Sequence, residues 1–221
     1  AMEAAQAFAK HLSEAGITVD GEPSRAAASG GAREMASVSS APLSDILALS
    51  LKTSDNTMTE VEGRLVAVHA KQSADFAGAS KAVIAQLGKD GFDTSGLTLL
   101  DASGLAKGNK VPARLLAQIL AKAAGGEGGS AGRTLIADLP VAALDGTLTN
   151  RLHDTTAAGT VRAKTGSLER TSSLAGVVTT ADGRLLAFSI LANDFPANGG
   201  GAAAAVIDSH FVAPLASCGC S

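Results

Sequence analysis

"GTVRAKTGSLERTSSLAGVVTTADGRLLAFSILAN", residues 159–193, decides the fold. Its first segment, "GTVRAKTG", alternates apolar and polar residues with the period of two that sends successive side chains to opposite faces of a strand. Two apolar, β-branched runs follow, joined at Asp182-Gly183, a residue pair that tight hairpin turns favour. Three successive strands with short connections predict an antiparallel sheet.

Outward from this sheet the chain reads as helices. Residues 202–212, "AAAAVIDSHFV", predict a closing helix. On the N-terminal side, "VPARLLAQILAKAAGG" has Pro112 at a first-turn position and Leu115, Leu116, Ile119 and Leu120 as an apolar stripe. The Gly-rich stretch 125–132 reads as a flexible loop. A helix capped at Ser73 runs through Phe76, Val83, Ile84 and Leu87 to Gly88. Before it, Thr57 with Glu60 three residues on forms a capping box, so a helix is expected near residue 58 with Val61, Leu65 and Val68 as its apolar face. "PLSDILALSLK" reads as a short helix, "EMASVSS" and "ITVDG" as short strands, and 24–34 as a loop. "AMEAAQAFAKHLSEAG" reads as a helix stopped by Gly16. Residues 1–30 thus form a leading helix, strand and loop, and 31–221 a helical region, the hairpin sheet and a closing helix. The fold class is α+β, an antiparallel sheet flanked by helices.

With 221 residues, 46% hydrophobic and 18% charged, the chain has a globular composition. A net charge of -3 gives no nucleic-acid footprint. The most apolar stretch, "LLAFSILAN", is strand-sized and no run reaches a bilayer span. No signal peptide opens the sequence, which fits either a cytosolic protein or one that begins after processing. The only cysteines, Cys218 and Cys220, leave open a small disulfide, a shared metal or two free thiols. The four histidines, at 11, 69, 153 and 210, show no zinc-motif spacing, so no metal site is expected.

Ser54, Asp55 and Asn56 stand directly before a predicted helix; Lys164, Thr165 and Gly166 stand on the first predicted strand. Each tripeptide alone has an ordinary reading, the first as a helix cap and the second as a charged edge strand. Together, in this order and on these elements, they are the motif pair of penicillin-binding proteins and serine β-lactamases. Asp101 and Ser103 in "DASGL" read as turn-formers, and His153 as a surface residue.

The flanking stretches "LKTSDNTMTE", "LLDASGLAKGNKV" and "LPVAALDGTLTNRL", together with 159–193, resemble the D-alanyl-D-alanine carboxypeptidases and endopeptidases of the penicillin-binding protein 4 type over residues 5–212. The sequence departs from the family at Ala102, where glycine is usual, and at Thr57 and Met58, where an aromatic residue or leucine is usual. The resemblance implies a penicillin-binding, serine β-lactamase-like fold and hydrolysis of peptidoglycan stem peptides through an acyl-enzyme. It implies β-lactam binding, no cofactor and a place outside the cytoplasmic membrane. By resemblance, Ser54 relays a proton to the leaving amine, Asn56 bonds the substrate peptide, and Lys164 holds Ser54 and draws in the terminal carboxylate. Thr165 and Ser167 bind that carboxylate, Gly166 permits close approach, the Ser167 N–H is an oxyanion donor, and Asp55 fixes the loop.

The family's nucleophile lies in a Ser-x-x-Lys turn, and no lysine here has a serine three residues before it. The chain therefore reads as the C-terminal portion of such an enzyme, inactive alone, whose partner is an N-terminal segment of the same protein carrying Ser-x-x-Lys. That segment is expected to cover the unpaired sheet edge. A non-catalytic module that binds muropeptides or a protein is the alternative. A β-lactamase shares both motifs but not the flanking stretches.

Overall fold

The computed structural model describes residues 2–27 and 30–219. Its contacts divide the chain into two units, Ala1–Ser40 and Ala41–Ser221. Among its described residues the first unit holds one helix, α1 (Met2–Glu14), followed by turns and chain without regular structure. Neither predicted strand forms there: 17–21 and 34–40 join no strand ladder among the described residues. A strand is stable only as part of a ladder, and Val38, 97% exposed, has no apolar surface to bury against.

The second unit runs α2 (Leu43–Thr53), α3 (Asn56–His69), α4 (Phe76–Lys89), α5 (Ala113–Ala124), α6 (Gly129–Asp138), β1 (Val161–Leu168), β2 (Thr171–Thr179) and β3 (Leu185–Asn193). It closes with α7 (Gly200–Val206), a π-helical turn over Ile207–Val212 and α8 (Ala213–Ser217). The three strands form one antiparallel sheet in the order β1-β2-β3. The α+β layout read from the sequence is the architecture found.

Alternation along the strands builds the core. Val161, Ala163, Leu174, Val178 and Phe188 share one face and pack against Ile207, Val212 and Ala216 of the closing helical segment and against Leu148. Each fully buried Val, Leu or Ile side chain among them contributes about 1.5–3 kcal/mol. On the other face α5 packs on β2 and β3 with Leu115 and Leu120 buried. The Asp182-Gly183 turn closes the hairpin, with Gly183 at φ +82°, where a Cβ is strained.

Four expectations about helices need correction. The helix after Ser54 starts at Asn56 and is capped by Asp55, whose carboxylate accepts the Met58 N–H at 2.9 Å. Glu60 closes no capping box; its Oε1 accepts the N–H groups of Ala102 and Ser103 at 3.1 and 2.8 Å. The buried face of α3 is Gly63 and Ala67, while Val61, Leu65 and Val68 are exposed. Small residues win because they allow close packing: a Cβ at Gly63 would lie 2.6 Å from the Ala102 Cβ. The cap of α4 is Asp75, two residues past Ser73, accepting the Gly78 N–H at 2.7 Å. Finally, α6 begins inside the predicted loop, at Gly129, because Gly132 lies close against the Ala123 backbone, where a Cβ would sit 2.9 Å from the Ala123 Cα.

Candidate active site

The turn between α2 and α3 presents Ser54. Its backbone is left-handed (φ 56°, ψ 45°), which costs a non-glycine residue about 1–2 kcal/mol. The turn is held against that strain from both sides. The Ser50 carbonyl accepts the N–H of Ser54 and, at 3.2 Å, that of Asp55. The Asp55 carboxylate is spent on capping α3.

Ser54 Oγ accepts a hydrogen bond from Lys164 Nζ at 2.6 Å, joining residues 110 positions apart. Lys164 stands on β1 and also donates to the Thr165 carbonyl at 3.0 Å. Its ammonium is half-buried, and burial lowers its pKa from 10.5. A polarised ammonium on a serine hydroxyl can fix that hydroxyl and pass or hold a proton.

The strand edge beside this pair is open. The Val161 carbonyl and the Ala163 N–H are bonded outward by Ala142 and Pro140 at 3.0 and 2.9 Å. Alternation places the N–H groups of Thr165 and Ser167 on the same outward row, where no strand pairs with them among the described residues. An extended peptide laid along this row would find backbone donors beside Ser54 and Lys164.

The Thr165 hydroxyl donates to Thr147 Oγ1 at 2.9 Å. Ser167 is exposed at the edge. Gly166 is constrained by the sheet itself, since a Cβ there would collide with the Ser173 hydroxyl on β2. Asn56, the first residue of α3, is exposed and makes no side-chain hydrogen bond to another described residue. The structure thus joins Ser54 and Lys164 directly, and places Asn56 two residues from Ser54 without a side-chain hydrogen bond to either.

Sequence reasoning missed a second pair. Lys52, two residues before Ser54, donates to Asp145 Oδ2 at 2.6 Å and to the Leu139 carbonyl at 2.8 Å. Asp145 Oδ1 accepts the Val141 N–H at 2.7 Å. Burial would raise the Asp145 pKa, but Lys52, the Val141 amide and the Arg162 charge together lower it. Asp145 precedes the short helical turn Gly146–Leu148 that carries Thr147. Lys52 and Asp145 lie within the family-like stretches, but only their three-dimensional contact marks them as part of the site's frame.

Asp101 is the turn-former expected, accepting the N–H groups of Gly104 and Ala106 and the Asn109 amide. His153 is exposed, its ring bonded to the Thr149 carbonyl at 2.7 Å. Among the described residues no cluster of three metal-ligating side chains occurs, and no helix is long and apolar enough to cross a membrane. Cys218 is not free, and Cys220 lies outside the described residues.

The D-Ala-D-Ala carboxypeptidase 3 (S13) family matches residues 1–211. A carboxypeptidase DacB of Mycolicibacterium smegmatis is 43% identical over 86% of this chain and 41% of its own length. A carboxypeptidase of Mycobacterium tuberculosis is 40% identical over 90% of this chain and 43% of its own. The chain therefore spans about two fifths of the length of these relatives. Among solved structures, penicillin-binding protein 4 of Haemophilus influenzae, complexed with a β-lactam, matches with a TM-score of 0.75 and 32% identity over 86% of this chain and 44% of that one.

Proposed function

The chain belongs to the D-Ala-D-Ala carboxypeptidase 3 (S13) family, and on that premise we propose that it carries one half of a serine acyl-transfer site acting on the D-alanyl ends of peptidoglycan stem peptides. The nucleophile would come from a Ser-x-x-Lys segment elsewhere in the same protein. The observation that carries this reading is the 2.6 Å contact between Lys164 Nζ and Ser54 Oγ beside an open strand edge.

Acyl transfer needs a nucleophile, a path for its proton to the leaving amine, and donors for the oxyanion. Ser54 is the relay that delivers the proton to the leaving D-alanine. Lys164 orients the Ser54 hydroxyl and attracts the substrate carboxylate. Thr165, held by Thr147, and Ser167 bind that carboxylate. The Ser167 N–H on the outward row donates to the oxyanion. Gly166 lets the strand approach the substrate closely. Asn56 is free to bond the substrate peptide, and Asp55 fixes the loop that presents Ser54.

β-Lactams acylate the same nucleophile, in keeping with the β-lactam complex of the Haemophilus influenzae relative. The substrate places the protein outside the cytoplasmic membrane. The edge of β3, unpaired among the described residues, and the exposed Val61, Leu65 and Val68 are where the rest of the protein would pack.

Intact-mass measurement after incubation with benzylpenicillin tests the reading. The full-length protein should gain one stoichiometric adduct, and residues 1–221 alone should gain none. An unmodified full-length protein would leave a non-catalytic binding module as the better description. An adduct on 1–221 would mean that the nucleophile lies among these residues.

A further inference from the structure

Beneath the Ser54 turn, α2 and α3 meet through polar side chains that the mechanism above does not use. Ser50 is 3% exposed. Its hydroxyl lies 3.2 Å from Thr59 Oγ1 and 3.2 Å from Glu62 Oε2. Thr59 Oγ1 lies 2.8 Å from the Asp55 carbonyl oxygen. Three oxygen–oxygen contacts therefore run in a row from Glu62 to the backbone of the turn.

To be a hydrogen bond each contact needs one proton, and the two at 3.2 Å are long for O–H···O. The row ends on a carbonyl, which only accepts, so Thr59 donates there. Thr59 has one proton, so Ser50 donates to Thr59. Ser50 has one proton too, so all three contacts are hydrogen bonds only when the proton between Ser50 and Glu62 belongs to Glu62. An ionised Glu62 would take the Ser50 proton and leave Ser50 and Thr59 facing each other with none between them.

The surroundings also disfavour a charge. Glu62 is partly buried, and its Oε1, like the buried Ser80 hydroxyl of α4, has no hydrogen-bond partner among the described residues; both residues line the cavity of about 360 Å³ between α3, α4 and residues 99–111. Leaving a buried oxygen unpaired is far more costly for a carboxylate than for a neutral acid. The charged groups nearby are Asp55 in the turn and Asp101 across the cavity, while Lys52 on α2 is engaged with Asp145. No ion pair to Glu62 is found among the described residues. Burial foremost, reinforced by the Asp55 charge and opposed only where Ser50 donates to the ionised carboxylate, raises its pKa above 4.5.

We propose that Glu62 is held as the neutral acid and is a positioning residue for the Ser54 turn, donating through Ser50 and Thr59 to the Asp55 carbonyl. Its importance to acyl transfer rests on the function proposed above; its protonation does not. A carboxyl whose folded pKa is raised adds stability that is present below about pH 4.5 and is lost as pH rises through the folded value. Above that value the row loses a proton, and the turn that holds Ser54 in its left-handed conformation loosens.

The test is carboxyl NMR of the full-length protein labelled with 13C at the glutamate side-chain carboxyl. The Glu62 signal is assigned by its loss in Glu62→Gln or, should that variant not fold, by through-bond correlation to the backbone in the parent. The expected result is one carboxyl that keeps its proton after the exposed glutamates have ionised. A Glu62 signal that titrates together with them overturns the proposal. A second measurement reads the positioning role. Glu62→Gln, whose amide can donate to Ser50, should keep most of the penicillin acylation rate and show no decline attributable to this group as pH rises. Glu62→Ala should fall roughly 2- to 12-fold, the equivalent of one lost hydrogen bond. Equal losses in both variants would contradict the proton row. A parent protein that penicillin never acylates would refute the functional reading, while the carboxyl titration would still decide the protonation of Glu62.

Discussion

The Lys52 ammonium meets the Asp145 carboxylate at 2.6 Å, two residues before Ser54 on one segment and two residues before Thr147 on the other. The pair ties the turn bearing Ser54 to the turn whose threonine holds Thr165. It fixes the spacing of two segments that β1 alone does not connect.

Breaking this pair should affect activity more than stability. Asp145 is partly exposed, so the pair contributes only about 0–1 kcal/mol to folding. Lys52→Met should therefore melt close to the parent. It should acylate with labelled penicillin about 2- to 12-fold more slowly, as expected for one misplaced hydrogen bond. An unchanged rate in a folded variant would make the pair purely structural.

Gly166 and Ser173 should behave as one unit. Gly166→Ala sets a methyl against the Ser173 hydroxyl and forces that side chain off its rotamer, costing about 0.5–1.5 kcal/mol. Ser173→Ala in the same protein should recover most of this, because the Ser173 Cβ would lie 3.7 Å from the new methyl, an ordinary contact. Thermal melts of the two single variants and the double variant give the coupling directly. Additive losses would mean that the collision is not the cause.

The half-buried Lys164 carries a signature in pH. Burial lowers its pKa, so the folded state binds fewer protons than the unfolded one between the lowered value and 10.5. Stability contributed by this group rises with pH through that window and is lost as pH falls through the folded value. The stability of the parent relative to Lys164→Met should therefore grow from neutral pH toward 10.5, and the alkaline fall in acylation should begin below 10.5. Denaturant melts at several pH values check the first, and the pH–rate profile the second. A difference that is flat with pH would contradict the assignment of a buried cation.

The sheet was legible because alternation and an Asp-Gly turn are local signals, and Ser54 and Lys164 because two tripeptides fell on the elements they need. What could not be read depends on packing between distant segments. Lys52 and Asp145 are 93 positions apart, and no local pattern announces their contact. The expected stripe of Val61, Leu65 and Val68 lost to Gly63 and Ala67, because close approach to Ala102 and α4 decided which side of α3 is buried. Residues 17–21 and 34–40 have strand-like composition but no strand to pair with among the described residues. A ladder partner is a property of the fold and not of the segment.

The central claim is that Ser54 and Lys164 act together on a proton during acyl transfer. The most direct measurement is the acylation rate of the full-length protein by labelled penicillin for Ser54→Ala, Lys164→Ala and the double variant, with folding checked by melt. Loss of one charge-assisted hydrogen bond is worth about 1.5–3 kcal/mol, roughly 10- to 150-fold in rate. Each single variant should fall in that range, and the double variant should be no slower than the slower single one, because the two groups share one interaction. Lys164→Arg should recover only part of the rate, since a planar fork does not replace a compact ammonium. A folded Lys164→Ala that acylates at the parent rate would contradict the account.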